Sequence, residues 1–161
     1  MDRLIDATSV RPGLGLGELL FGTSINDAIA YLGEPTRREQ LDPLLDGIGL
    51  YWDETLSCTY YTDDDLRLGT ISIERYDAVL ADRCLMGMGR DDVLAHLTPL
   101  FGEPTWKDMS SVEFPDHWQA WFDSRYLSLW FDCGLLETIQ WGYFFDESNK
   151  PIWPDLNQSR P

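Results

Sequence analysis

The chain has 161 residues, with 12 basic against 28 acidic side chains, a net charge of −16, 43% apolar content and 13% aromatic content. The apolar share separates it from disordered acidic chains, and the charge excludes nucleic acid and anionic membrane as ligands, since both select clustered Lys and Arg. It suits a soluble protein with a basic protein as partner, drawn in by electrostatic steering.

The first residues, Met1-Asp2-Arg3-Leu4-Ile5-Asp6, lack a basic stretch followed by a long apolar run. No secretory signal is expected, and no apolar stretch reaches membrane length. Cys58, Cys84 and Cys133 are scattered with no C-x-x-C, which fits free thiols in a reducing cytoplasm. Residues 1–17 read as an irregular lead-in with a strand-like start, broken at Arg11-Pro12-Gly13. Gly13, Gly15 and Gly17 have glycine-loop spacing but lack the Lys-Ser/Thr ending of a phosphate loop.

Residues 18–76 read as a first unit. Thr23 or Ser24 is a suitable N-cap, and Ile25, Ala28, Ile29 and Leu32 form an apolar stripe at helical spacing. Gly33 and Pro35 stop the helix. Leu50–Trp52, Ser57–Tyr61 and Leu66–Glu74 follow as strands, with Asp63-Asp64-Asp65 at a tight turn. Residues 77–84 read as a linker. Residues 85–146 form a second unit of the same plan, with a helix opening at Arg90-Asp91-Asp92 and stopping at Gly102 and Pro104. Strands are expected at Trp118–Phe122, Tyr126–Phe131 and Leu135–Tyr143. Residues 147–161 are expected as an extended tail.

The two units repeat one another. Gly22 and the helix to Leu32, then Gly33-Glu34-Pro35-Thr36, correspond to Gly87 and the helix to Leu97, then Gly102-Glu103-Pro104-Thr105. Trp52 falls on Trp121, Tyr61 on Trp130, Asp63 on Asp132, and Thr70-Ile71 on Thr138-Ile139. Thr98 to Phe101 is one extra helical turn in the second unit. The expected fold class is therefore α+β: two tandem repeats, each a helical segment packed on a three- to four-stranded antiparallel sheet.

A glycine-started helix, a G-x-P stop, an aromatic strand and then Leu127, Leu129, Phe131, Asp132, Gly134, Leu136 and Ile139 resemble the module of the outer-membrane assembly lipoprotein BamE. Two such modules in tandem resemble the beta-lactamase inhibitor protein, and the likeness covers about residues 18–146. It implies a fold that binds other proteins. The chain lacks the lipoprotein signal of one and the paired cysteines of the other, which implies a cytoplasmic relative. Its size and acidity also resemble immunity proteins of bacterial toxin systems, which implies an inhibitor of a basic toxin.

Alternation sorts the strand residues by face. If Leu127, Leu129 and Phe131 face the helices, Tyr126, Ser128 and Trp130 face away. Cys58, Tyr60, Ile71 and Ile139 then point in, while Ser57, Thr59, Tyr61, Thr70, Ser72, Glu74, Thr138 and Gln140 point out. Hydroxyls around large aromatics suit a protein interface. Three consecutive aspartates exceed what a turn needs and could meet Lys or Arg of a partner. The candidate partner-binding residues are Tyr61, Asp63, Asp64, Asp65, Glu74, Trp121, Trp130 and Gln140. Aromatic surface also allows a homodimer, and a small-molecule or peptide sensor is the alternative function. His96 and His117 have no zinc spacing, no calcium-loop pattern occurs, and nothing visible activates a cysteine, so no catalytic residue, metal or cofactor is expected.

Overall fold

The computed structural model describes residues 8–44 and 46–155. The start of the expected lead-in and the end of the expected tail lie outside the described residues.

Eight antiparallel strands form the main sheet. From the first half come β4 (Arg37–Gln40), β5 (Gly47–Trp52), β6 (Leu56–Tyr61) and β7 (Arg67–Ile73); from the second come β10 (Thr105–Asp108), β11 (His117–Phe122), β12 (Leu127–Asp132) and β13 (Leu135–Gly142). Their order is β10-β11-β12-β13-β7-β6-β5-β4. The seam between the halves is the pairing of β13 with β7, through Ile139 with Ile73, Gln140 with Ser72, Trp141 with Ile71 and Gly142 with Thr70.

A second sheet of five short strands contains β1 (Ser9–Arg11), β2 (Gly15–Leu16), β3 (Leu19–Leu20), β8 (Val79–Leu80) and β9 (Arg83–Cys84). Strand β8 lies parallel to β1, joining the expected linker to the expected lead-in. A small hairpin, β14 (Phe144–Phe145) with β15 (Pro151–Ile152), ends the described chain.

Two α-helices are present among the described residues, α1 (Ile25–Leu32) and α2 (Arg90–Phe101). Ser24 caps α1 through a reciprocal pair: its hydroxyl accepts from the Asp27 N–H at 3.2 Å, and the Asp27 carboxylate accepts from the Ser24 N–H at 3.0 Å. Helix α2 is four residues longer and carries Pro99 within its last turn. Neither helix is long and apolar enough to cross a membrane.

The expected α+β class with two helix-on-sheet repeats is therefore overturned. The protein is mostly β, and the strands of both halves merge into one sheet. The physical reason is coverage. Helices of 8 and 12 residues cannot shield the apolar face of eight strands, and only Ala28, Val93 and Leu97 are fully buried on them. The five-stranded sheet supplies Val10, Leu16, Leu19 and Leu80 to the same core. A separate half-sheet would also expose the paired edge of β7 or β13.

The inner face follows the alternation. Leu50, Cys58, Tyr60, Ile71, Leu129, Phe131, Ile139 and Trp141 are all buried in one contiguous core. Trp141 pins the layers together, because its indole N–H donates to the Gly15 carbonyl at 3.0 Å from within that core. The match of Trp52 to Trp121 does not survive. Trp52 is buried on the inner face, whereas Trp121 sits beside Ser128 on the outer face.

Replacing Trp141 with Ala removes this packing and the bond from the indole to the Gly15 carbonyl. We expect a loss of roughly 3–5 kcal/mol of unfolding free energy, read from urea denaturation at constant m-value. A loss under about 1 kcal/mol would mean that the contact between the sheets contributes little.

Candidate functional site

The outer face of the main sheet carries a row of aligned positions. Tyr51, Ser57, Ser72, Gln140, Ser128 and Trp121 lie side by side across β5, β6, β7, β13, β12 and β11. One rung along, Thr59, Thr70 and Gly142 line up. The ladder shifts register between Thr59 and Tyr60, leaving Gly69 as the extra residue of β7. Such a bulge bends the strand and increases its twist.

At this bend a cavity of about 670 Å³ opens over the seam of the halves. Its floor is Gly69, Thr70, Ser128, Gln140 and Gly142. Two glycines keep the floor low. A Cβ on Gly69 would lie 2.6 Å from the Tyr61 ring, and one on Gly142 would lie 3.0 Å from the Gly69 carbonyl oxygen.

The first half supplies an acidic wall. Tyr61 ends β6, and Asp63 and Asp64 occupy the 3-10 turn Thr62–Asp64 that follows it. Leu44 and Asp46, from the connection between β4 and β5, complete this side. The second half supplies an aromatic wall of Trp121, Tyr126, Tyr143 and Phe145. Tyr126 adopts a left-handed backbone, φ 46°, at the end of the turn Asp123–Arg125. Its ring lies 5.9 Å from Trp121, edge to face, and 5.3 Å from Phe145. The Tyr143 ring packs at a tilt against Trp153, with centroids 4.6 Å apart, so the segment after β13 supports the wall.

Short hydrogen bonds fix the lining. The Tyr61 hydroxyl lies 3.0 Å from that of Thr70, and Gln119 donates to the Ser128 hydroxyl at 2.9 Å. The Tyr143 hydroxyl donates to Asp64 Oδ2 at 2.7 Å, tying one half to the other. Burial first, and then this carboxylate, push the Tyr143 phenol well above its usual range. Behind the cavity, burial pushes the Tyr60 phenol and the Cys58 thiol up in the same sense.

The cavity's charge is one-sided. Three aspartates line it, and no Lys, Arg or His does. Arg67, in register with Tyr61, directs its guanidinium over Trp153 instead. The side chains of Asp46 and Asp63 have no hydrogen bond or ion pair among the described residues. The aspartates are not grouped as ligands of one metal ion.

Of the eight residues expected at a partner site, the structure brings together Tyr61, Asp63, Asp64, Trp121 and Gln140. Asp65 is exposed on the same turn but outside the cavity, in a left-handed backbone with φ 56°. Glu74 accepts from the Thr138 hydroxyl at 3.1 Å, at the far end of the seam. Trp130 stacks on His117, with centroids 5.5 Å apart, and does not line the cavity. Alternation had placed Thr70, Ser128 and Tyr126 on the correct face without singling them out. Phe145, Tyr143 and Leu44 carry no sequence signal of a site, since they enter through loop and hairpin geometry.

No family model matches the chain, and no curated protein matches it. Among solved structures, it is similar to a DUF4309 family protein (YjgB) from Bacillus subtilis subsp. subtilis str. 168, at 15% identity. The match covers 82% of this chain and 88% of that one with a TM-score of 0.49, a likeness too low to carry an argument.

The raised phenols give a pH dependence of known sign. Folding favours the neutral forms of Tyr60 and Tyr143, so their contribution is fully present below the unfolded phenol value of about 10 and declines as pH rises above it. An absorbance titration of the native protein should show late-ionising tyrosines, and Tyr143→Phe should remove one of them. If all seven tyrosines ionised together in the ordinary range, this account of the cavity wall would be wrong.

Proposed function

We propose that the protein is an acidic binding protein that inhibits a basic partner by covering part of its surface, as an immunity protein covers a toxin. The carrying observation is the cavity lining: carboxylates on one wall, aromatic rings on the other and no cation between them, in a chain of net charge −16. The acidic wall steers a basic surface toward the site, and the aromatic wall holds what arrives. Asp65 is exposed on the same turn as Asp63, and Asp42 is exposed in the connection that carries Leu44 and Asp46. The reading is of binding, not of catalysis.

The cavity's size favours a second reading, since about 670 Å³ falls within the range of small-molecule sites. On that reading the ligand is a small organic cation, and it raises the melting temperature when added alone.

The first reading is tested by parallel capture experiments from the native cell, using the tagged protein and a variant with Asp42, Asp63 and Asp65 changed to Lys. The expected result is a stoichiometric basic protein held by the natural sequence, released by salt and lost from the variant. With the purified pair, the variant should slow association by about tenfold or more at low ionic strength, with the gap closing at high salt. Equal capture by both proteins, or no basic partner for either, would count against it.

A further inference from the structure

This chain already shows how it holds a guanidinium. On the outer face, Arg37 of edge strand β4 lies 3.7 Å over the ring of Tyr51. Its Nε and Nη2 donate to the two oxygens of Glu54, each at 2.9 Å, and Nη1 donates to Glu39. The arrangement is a ring on one side of the cation and carboxylates around its edge. It exploits the two features that separate Arg from Lys, a planar face that stacks and a fork that meets a carboxylate bidentately.

The cavity over the seam repeats this set of groups further along the same face. Rings of Tyr61, Trp121 and Tyr126 stand with the carboxylates of Asp63 and Asp64, and no arginine lines the space between them. The Tyr143 bond occupies Asp64 Oδ2 and orients the carboxylate. Oδ1 is left to accept from a ligand. The floor adds neutral acceptors, including the Gln140 side chain, which has no hydrogen bond within the described residues.

We propose that this cavity takes an arginine side chain projecting from the partner, with the guanidinium edge on Asp63 and Asp64 and its face against the aromatic wall. The proposal rests on the reading that this face binds a basic protein, and it names the anchor that such a protein must present. The cavity volume also leaves room for the residues flanking the arginine. Lysine is the poorer fit. Its ammonium is a strongly hydrated point charge, with no planar face to stack and no fork to match a carboxylate.

The test is an amide and indole NMR titration of the labelled full chain with blocked pentapeptides that differ only at the central residue: arginine, lysine or citrulline. Citrulline keeps the shape of arginine without its charge. The arginine peptide should shift the Trp121 indole and the Gly69 and Gly142 amides. It should bind about fivefold or more tighter than the lysine peptide, with citrulline inert. Asp63→Asn, which spares the bond from Tyr143 to Asp64, should weaken it about fivefold while leaving the rest of the spectrum in place. Gln140→Trp, which fills the floor, should abolish the shifts.

Octalysine separates this inference from the reading beneath it. If octalysine binds the acidic wall in a salt-sensitive way while arginine, lysine and citrulline peptides behave alike, the arginine anchor falls and the basic-partner reading stands. If neither octalysine nor the arginine peptide shifts any resonance on this face, both fall.

Discussion

The pairing of β7 with β13 is the constraint on which the rest of the molecule depends. It closes the edges that the two halves would otherwise expose, and so makes one sheet from two sets of four strands. Ile71, Ile73, Ile139 and Trp141 of that seam all point inward, which places buried apolar side chains at the centre of the sheet. The alternate rungs of the same pairing, Gln140 with Ser72 and Gly142 with Thr70, face outward. Core and cavity floor are therefore the two faces of a single strand pairing.

Coverage of the inner face follows from that centre. Two short helices shield only part of it, and the strands around Val10, Leu16 and Leu80 supply the remainder. The bond from Trp141 to the Gly15 carbonyl fixes where this second sheet sits. The outer face needs no such layer at its centre, because its residues are hydroxyls, an amide and glycines. Walls rise at its sides because a turn after β6 carries aspartates, while β11, the turn that follows it and the chain after β13 bring in aromatic rings. Tyr143 links the two walls through Asp64, so the cavity's width depends on a contact between residues 79 positions apart.

Much of this was legible along the chain. Period-two alternation sorted Cys58, Tyr60, Ile71 and Ile139 from Thr59, Tyr61, Thr70 and Gln140 correctly, because a strand allows its side chains only two directions. The helix stops at Gly33 and Gly102 were legible for local backbone reasons. The aspartates at 63 and 64 and the aromatics at 61 and 121 stood out by composition, and the structure gathers them around one space. Trp130 met the same criterion of facing outward, yet it stacks on His117 elsewhere on the sheet. Facing outward is a property of one strand; meeting a neighbour's wall is a property of several.

The sequence by itself determined the charge, the helix boundaries, the strands at the heart of each half and the face to which their residues belong. These depend on residues within a few positions of one another, where backbone geometry sets the period. Tertiary structure alone decided that the halves share a sheet, that the lead-in and linker pair in parallel as a second sheet, and that a bulge at Gly69 opens the floor of a cavity. Each of these depends on which edge finds which partner and on how much apolar surface remains uncovered. Those quantities belong to the assembled layers and have no local signature in the chain.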